Sequence, residues 1–197
     1  MNRVLHLTFS TLVLCLQVVS GHAASVEGPF DGIKVEFELI NANGEQVTEQ
    51  EVRGRHVLLA FGFTHCLHIC PMMAANMAMA LKASQQDALG IFVSVDTERD
   101  TPAVTQAYAS SFHDSMLGLG GTYEQIRQAA NNFRVSFVVT KSQQAYTVEH
   151  TSDIFLIGPD GTVQQVFALN ASPGAMAKAI DSIVAKDPAA GIDSADY

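Results

Sequence analysis

Three residues separate Cys66 from Cys70 in the stretch Phe61-Gly62-Phe63-Thr64-His65-Cys66-Leu67-His68-Ile69-Cys70-Pro71. Thiols so spaced support three chemistries. One is a structural disulfide, common in exported proteins, although a bridge over so short a loop constrains little of the unfolded chain. The second is thiol–disulfide exchange, which uses paired thiols of lowered pKa. The third is soft-metal binding, since two thiolates converging in one loop suit Cu(I) better than any hard ion. The spacing alone does not separate the last two. A Cu(II) state needs further donors, so a third ligand near the thiols is the discriminating feature.

The histidines supply the candidates. His56 precedes an apolar run and reads as an edge residue; His113 ends a helix, where a cation offsets the dipole. His65 and His68 lie in the cysteine loop and read as solvated side chains. His150 differs, lying in Tyr146-Thr147-Val148-Glu149-His150-Thr151-Ser152, an approach loop just before the last hairpin. Met72, Met73, Met77 and Met79 share a segment with several alanines and read as core filling, with Met72 or Met73 at the margin of the site. Asp96, Arg99 and Asp100 read as a helix-start cluster ahead of Pro102.

The elements that would position these residues follow from periodicity. Val35 to Ile40 alternates and Asn43-Gly44 turns after it, predicting a leading hairpin. Val57 to Phe63 is a near-continuous apolar run, the pattern of a strand buried on both faces. Pro71 opens a helix running to about Leu89 and closed by Gly90, with Cys70 held outside helical geometry by the proline after it. The positive end of that helix is expected to lower the pKa of both thiols. Ile91 to Val95 is a second buried strand. Helices follow from Pro102 to about Phe112 and from Thr122, its N-cap, to Phe133. A short strand spans 135–139. Ile154–Ile157 and Val163–Leu169 flank the turn Gly158-Pro159-Asp160-Gly161, and a last helix runs from Ser172-Pro173 to about Lys186. A βαβ start, a terminal ββα and two cysteines between the first core strand and its helix predict α/β architecture of thioredoxin-like type. The sheet is mixed and flanked by helices, with an N-terminal hairpin extension.

Composition narrows the function. In 197 residues, 48% are hydrophobic, and 11 Lys and Arg stand against 20 Asp and Glu for a net charge of −9. That supplies a core for one domain and no basic face for nucleic acid. Arg3, the apolar stretch Val4–Val19 and the small residues around Gly21-His22-Ala23 predict an export signal over residues 1–23. The alternative is a retained anchor, disfavoured because the stretch has only 16 residues, interrupted by polar ones, where a span needs about 20. Cleavage would remove Cys15, His6 and His22, leaving Cys66 and Cys70 as the only cysteine pair in an acidic, exported protein. Residues 24–186 would form the domain and 187–197 a flexible acidic tail.

The chain also resembles the SCO/SenC family of copper-binding proteins that assist cytochrome c oxidase assembly. The family's G-F-T-x-C-x-x-x-C-P stands here as Gly62 to Pro71, its D-P-x-R-D-T-P as Asp96 to Pro102, and its late His-[Ser/Thr] followed by a D-G turn as His150-Thr151 and Asp160-Gly161. The similarity spans about residues 28–186. It implies that Cys66, Cys70 and His150 bind one copper ion, as Cu(I) or Cu(II). It further implies a periplasmic, membrane-proximal chaperone, anchored if the N-terminal segment is retained. Its partner would be an apo copper-site subunit of a haem-copper oxidase or another periplasmic copper carrier. For Asp96, Arg99 and Asp100 it implies a surface serving the metal site or its docking partner. The alternative function is a thiol–disulfide reductase that keeps the acceptor's cysteines reduced. Two departures bear on the site: Leu67 and His68 stand where the family has Pro and an acid, and Thr97 where it has Pro. An imidazole at His68 removes a negative charge beside the metal and offers a further ligand.

Overall fold

The computed structural model describes Phe30, residues 33–143 and residues 145–183. The leader expected over 1–23 and the tail from 187 lie outside the described residues. The strands are β1 (Glu38–Ile40), β2 (Gln46–Thr48), β3 (His56–Gly62), β4 (Ala88–Ser94), β5 (Met116–Leu119), β6 (Phe137–Lys141), β7 (Tyr146–His150), β8 (Ile154–Ile157) and β9 (Val163–Phe167). The helices are α1 (Ile69–Ala83), α2 (Pro102–Ser110), α3 (Tyr123–Asn132) and α4 (Pro173–Ser182). The five-stranded sheet has the order β5-β4-β3-β8-β9, with β3, β4 and β5 parallel and β8 and β9 antiparallel to their neighbours. This is the expected mixed sheet, with a βαβαβ start and a ββα close.

Alternation along β3 divides the core into two layers. Val57, Leu59 and Phe61 face one side, with Phe37, Leu39, Ile126 and Phe133. Leu58 and Ala60 face the other, with Met73 and Met77 of α1, Phe92 and Ile180 of α4. All seven residues of β3 are buried, as a central strand covered on both faces requires.

Three boundaries differ from the sequence reading. α1 stops at Ala83, not near Leu89, because the Asp181 carboxylate accepts from Ser84 Oγ at 2.6 Å and from Gln85 N at 2.9 Å, giving the chain hydrogen bonds outside the helix. Leu89 and Gly90 belong to β4, opposite Val57 and Leu58. Gly90 is therefore no helix terminator: a Cβ there would lie 2.8 Å from Met116 Cγ. The segment Met116–Leu119 forms an edge strand that periodicity does not reveal. Its Gly118 passes so close to α2 that a Cβ would sit 2.3 Å from the Thr105 carbonyl oxygen. Finally, Tyr146 to His150 is a strand, not a loop, pairing with β6 in a separate two-stranded sheet. Among the described residues no helix is long and apolar enough to cross a membrane.

Candidate metal centre

β3 carries the chain to Gly62, and the cysteine loop leaves from its carboxyl end. Gly62 is needed there: a Cβ would lie 2.6 Å from Phe92 Cζ and 3.2 Å from Cys70 Sγ. Cys70 packs into that space and is fully buried. It is the second residue of α1, whose N-cap is His68. This corrects the expected non-helical Cys70. Pro71 occupies the third helical position, still within the first turn, where a missing N–H leaves no gap in the ladder.

The two thiols are unlike. Cys66 is half-buried, and its Sγ accepts from the Cys70 backbone N–H at 3.4 Å. Burial pushes the Cys66 thiol up, but the N–H groups of Cys70, His68 and Ile69, with the Cys70 side chain, outweigh it and bring it below the ordinary thiol value. Cys66 thus takes the place of a capping oxygen and faces the positive end of the helix. Burial pushes Cys70 up to about 12. The expected lowering holds for the first cysteine and fails for the second. Both are free thiols.

His150, the last residue of β7, brings its Nε2 to 3.4 Å from Cys70 Sγ. Its Nδ1 lies 2.8 Å from the Thr151 carbonyl oxygen. A carbonyl only accepts, so Nδ1 carries the proton and Nε2 turns its lone pair to the sulfur. Burial holds the His150 pKa below the ordinary histidine value, against an opposing pull from the Thr151 carbonyl. The ring meets Phe63 edge-on, centroids 5.8 Å apart. An imidazole fixed by a backbone carbonyl, beside two thiols, is a soft N,S donor set of the kind that suits copper or zinc, and the Thr151 carbonyl already orients the ring.

The remaining sequence candidates separate. His65 is tied by Nδ1 to Asp100 Oδ1 at 3.2 Å. His68 is exposed. His56 is buried on β3, not an edge residue, and burial lowers its pKa; it stands at the opposite end of that strand from Gly62. His113 Nδ1 accepts from Ser115 N at 3.0 Å, shaping the turn into β5. Met73 and Met77 are buried core residues, whereas Met72 and Met79 are about half exposed. Leu67 (84% exposed), Ile69 and Met72 make an apolar rim around the loop.

Asp96 and Asp100 are not a surface: both are buried. Asp100 accepts from Thr64 N at 2.7 Å, Thr64 Oγ1 at 2.6 Å and Ser94 Oγ at 2.6 Å. Asp96 accepts from Tyr146 Oη at 2.6 Å and from Arg99 at 2.5 Å. The carboxylates of Asp96 and Asp100 approach His65 closely enough to suggest a second cation site, but their oxygens are already taken by these donors. Sequence reading missed Ser94 and Tyr146. For Tyr146 the signal was present in the alternation Tyr146, Val148, His150, which marks a strand face.

The SCO1/SenC family model matches residues 27–185. Over 152 residues the chain is 34% identical to Protein SCO1 homolog 1, mitochondrial, of Arabidopsis thaliana, covering 73% of this chain and 46% of that protein. The chain thus spans about half the length of the first curated relatives it matches. The crystal structure of Arabidopsis thaliana ScoI with copper bound superposes with a TM-score of 0.70 at 32% identity, covering 76% of this chain and 96% of that one. BsSco, described as a Sco-family cytochrome c oxidase assembly protein with a disulfide switch, superposes with a TM-score of 0.60 at 27% identity, covering 80% and 98%. The thioredoxin-like fold is shared with these neighbours. With its motifs in family order and the match running through nearly all the described residues, the chain belongs to the SCO1/SenC family.

Proposed function

We propose that this chain is a copper metallochaperone. It binds one copper ion through the Cys66 and Cys70 sulfurs and His150 Nε2 and passes it by ligand exchange to an apo copper site of a haem-copper oxidase subunit. A second periplasmic copper carrier is the other partner in this scheme. The observation that carries the reading is the approach of His150 Nε2 to Cys70 Sγ with Nδ1 committed elsewhere. Simple thiol exchange needs no such imidazole. Copper-bound Sco relatives support the choice of metal. Loading replaces the two thiol protons with copper, so the soft ion is held by charged sulfurs that a buried thiol pair alone would not present at neutral pH. Exposed Leu67, Ile69 and Met72 beside the half-buried Cys66 leave the copper open to an incoming ligand. The leader-like residues 1–23 favour work in the periplasm, released or anchored.

The alternative is a thiol–disulfide reductase, and the unequal thiols favour it. The Cys66 thiolate would attack a partner disulfide; the Cys70 thiol would then lose its proton and displace the partner, leaving a Cys66–Cys70 disulfide and a reduced dithiol. A copper titration of the reduced protein and its His150→Ala variant separates the two. One equivalent of Cu(II) with a thiolate charge-transfer band that is lost or shifted in the variant is expected of the chaperone. No copper uptake, with Cys66 still reacting as a low-pKa thiol, would establish the reductase instead.

A further inference from the structure

The third ligand of the proposed site sits on an element with little of its own support. β6 and β7 hydrogen-bond only to each other as a sheet, with every second residue facing solvent, and a lone two-stranded ribbon is marginal in water. Yet His150 at the end of β7 must stay within bonding reach of Cys70. Phe137 and Val148 pack one face of the hairpin on the core, and the polar side-chain contacts that attach it converge on the turn after β4. Tyr146, four residues before His150 and on the same face of β7, donates from Oη to Asp96 Oδ1 at 2.6 Å. Arg99 holds the other oxygen of Asp96 at 2.5 Å and lays its guanidinium 3.9 Å from the Tyr146 ring centroid. Lys141 on β6 pairs with Glu98 of the same turn.

That turn also holds the thiols. Asp100 binds the backbone and hydroxyl of Thr64, two residues before Cys66. Ser94 links the Asp100 carboxylate to the Asp96 backbone: its Oγ donates to Asp100 Oδ2 at 2.6 Å and accepts from Asp96 N at 3.2 Å. Asp100 N donates to Asp96 O at 2.9 Å. One short segment thus carries a path from the cysteine loop to the strand of His150 through the buried Ser94, Asp96 and Asp100. Buried carboxylates with all their donors in place make a rigid connection of this kind.

We propose that Tyr146 is a positioning residue: gripped by Asp96 and Arg99, it locks the β6–β7 hairpin to the turn that anchors the cysteine loop and so sets His150 over the thiols. The inference rests on the copper reading for its consequence, not for the lock itself. Releasing Tyr146 frees the imidazole without touching either sulfur.

Tyr146→Phe removes the hydroxyl and keeps the ring under Arg99. The reduced variant is expected to bind one equivalent of Cu(I) with parental affinity. It is expected to bind Cu(II) about tenfold more weakly, the order of a lost charge-assisted hydrogen bond, with its Cu(II)–thiolate band moved toward that of His150→Ala. In the His150→Ala background the same change should have no further effect, because its effect passes through the imidazole. Asp96→Asn, the second variant, should show an intermediate loss with the same dependence on His150. Parental Cu(II) affinity and spectrum in Tyr146→Phe, or an equal loss with His150 absent, would overturn the proposal. A copper-free measurement separates this from the function itself. Amide hydrogen exchange of the apo protein should quicken in Tyr146→Phe across residues 137–150 and stay unchanged in β3 and α1. If the parent shows no His150-dependent copper signal, the copper reading falls, and this exchange result alone upholds or overturns the lock.

Discussion

His150 Nε2 and Cys70 Sγ stand 3.4 Å apart although 80 residues separate them in the chain. Burial favours the uncharged form of each: it pushes Cys70 up to about 12 and holds His150 below the ordinary histidine value. The sulfur and the ring nitrogen thus face each other at hydrogen-bonding distance before any metal is bound. A metal bound as proposed would meet these two donors already in position.

The first consequence concerns the thiols. Cys66 is half-buried with its pKa lowered at the helix start, whereas Cys70 is fully buried with its pKa pushed up to about 12. Iodoacetamide at pH 7.5 should therefore alkylate Cys66 at least about tenfold faster than Cys70, since the thiolate is the nucleophile. Peptide mapping of the singly modified product decides it. Equal or preferential labelling at Cys70 would show that the loop opens faster than it reacts.

Copper binding should be steeply pH-dependent. Each thiol that binds as a thiolate gives up its proton, so protons compete with the metal, and Cys70, pushed up to about 12, carries its proton across this range. Apparent Cu(I) affinity should rise by about two log units per pH unit below the lowered pKa of Cys66. The slope falls toward one as pH passes the lowered pKa of Cys66, because Cys70 alone then still carries its proton. His150, its pKa lowered chiefly by burial, competes with protons less than an ordinary histidine would. Competition against a chelator of known pH behaviour at pH 6, 7 and 8 measures the slope. A flat profile would remove the thiols from the ligand set.

Much of this was legible in the sequence, for physical reasons that differ by element. β3 announces itself because a strand buried on both faces must be apolar throughout, and α3 because Thr122 caps it, its side chain accepting from Gln125 N. Cys66, Cys70 and His150 are singled out by residue type and order. Their proximity is not local information: the thioredoxin-like topology brings them together. The unequal acidity of the thiols was hidden because it depends on which sulfur faces the helix N–H groups and which lies under Gly62. Asp96 and Asp100 look like surface charges by residue type. Only the tertiary structure supplies Tyr146, Arg99, Thr64 and Ser94 as the donors that make their burial tolerable.

The methionines of α1 divide by burial, and their roles should divide with it. Met77 is fully buried against the sheet while Met72 is 46% exposed at the start of the helix. Met77→Ala should cost about 2–5 kcal/mol in denaturant unfolding, and Met72→Ala about 0.5 kcal/mol or less. Neither should alter Cu(I) stoichiometry. A loss of Cu(I) affinity in Met72→Ala at unchanged stability would instead place its thioether among the ligands.

Asp100 offers the sharpest test of how the cysteine loop is held. Its carboxylate is fully buried and takes hydrogen bonds from Thr64 N, Thr64 Oγ1, Ser94 Oγ and the His65 ring. Truncation to alanine removes the common acceptor and strands several donors in a site with little access to water. Desolvated unpaired donors cost about 1–3 kcal/mol each, partly relieved where the loop swings out to solvent. Asp100→Ala should therefore lose about 2–4 kcal/mol of stability. The cysteine loop should become the first segment to exchange its amides. Asp100→Asn keeps one acceptor oxygen but turns an amide N–H₂ toward donors, so it should lose less stability while still loosening Thr64. Chemical denaturation and hydrogen exchange of both variants check the ordering. Parental stability in Asp100→Ala would mean that the buried carboxylate contributes no net stabilisation and that the loop is held by packing of Phe63 and Cys70 alone.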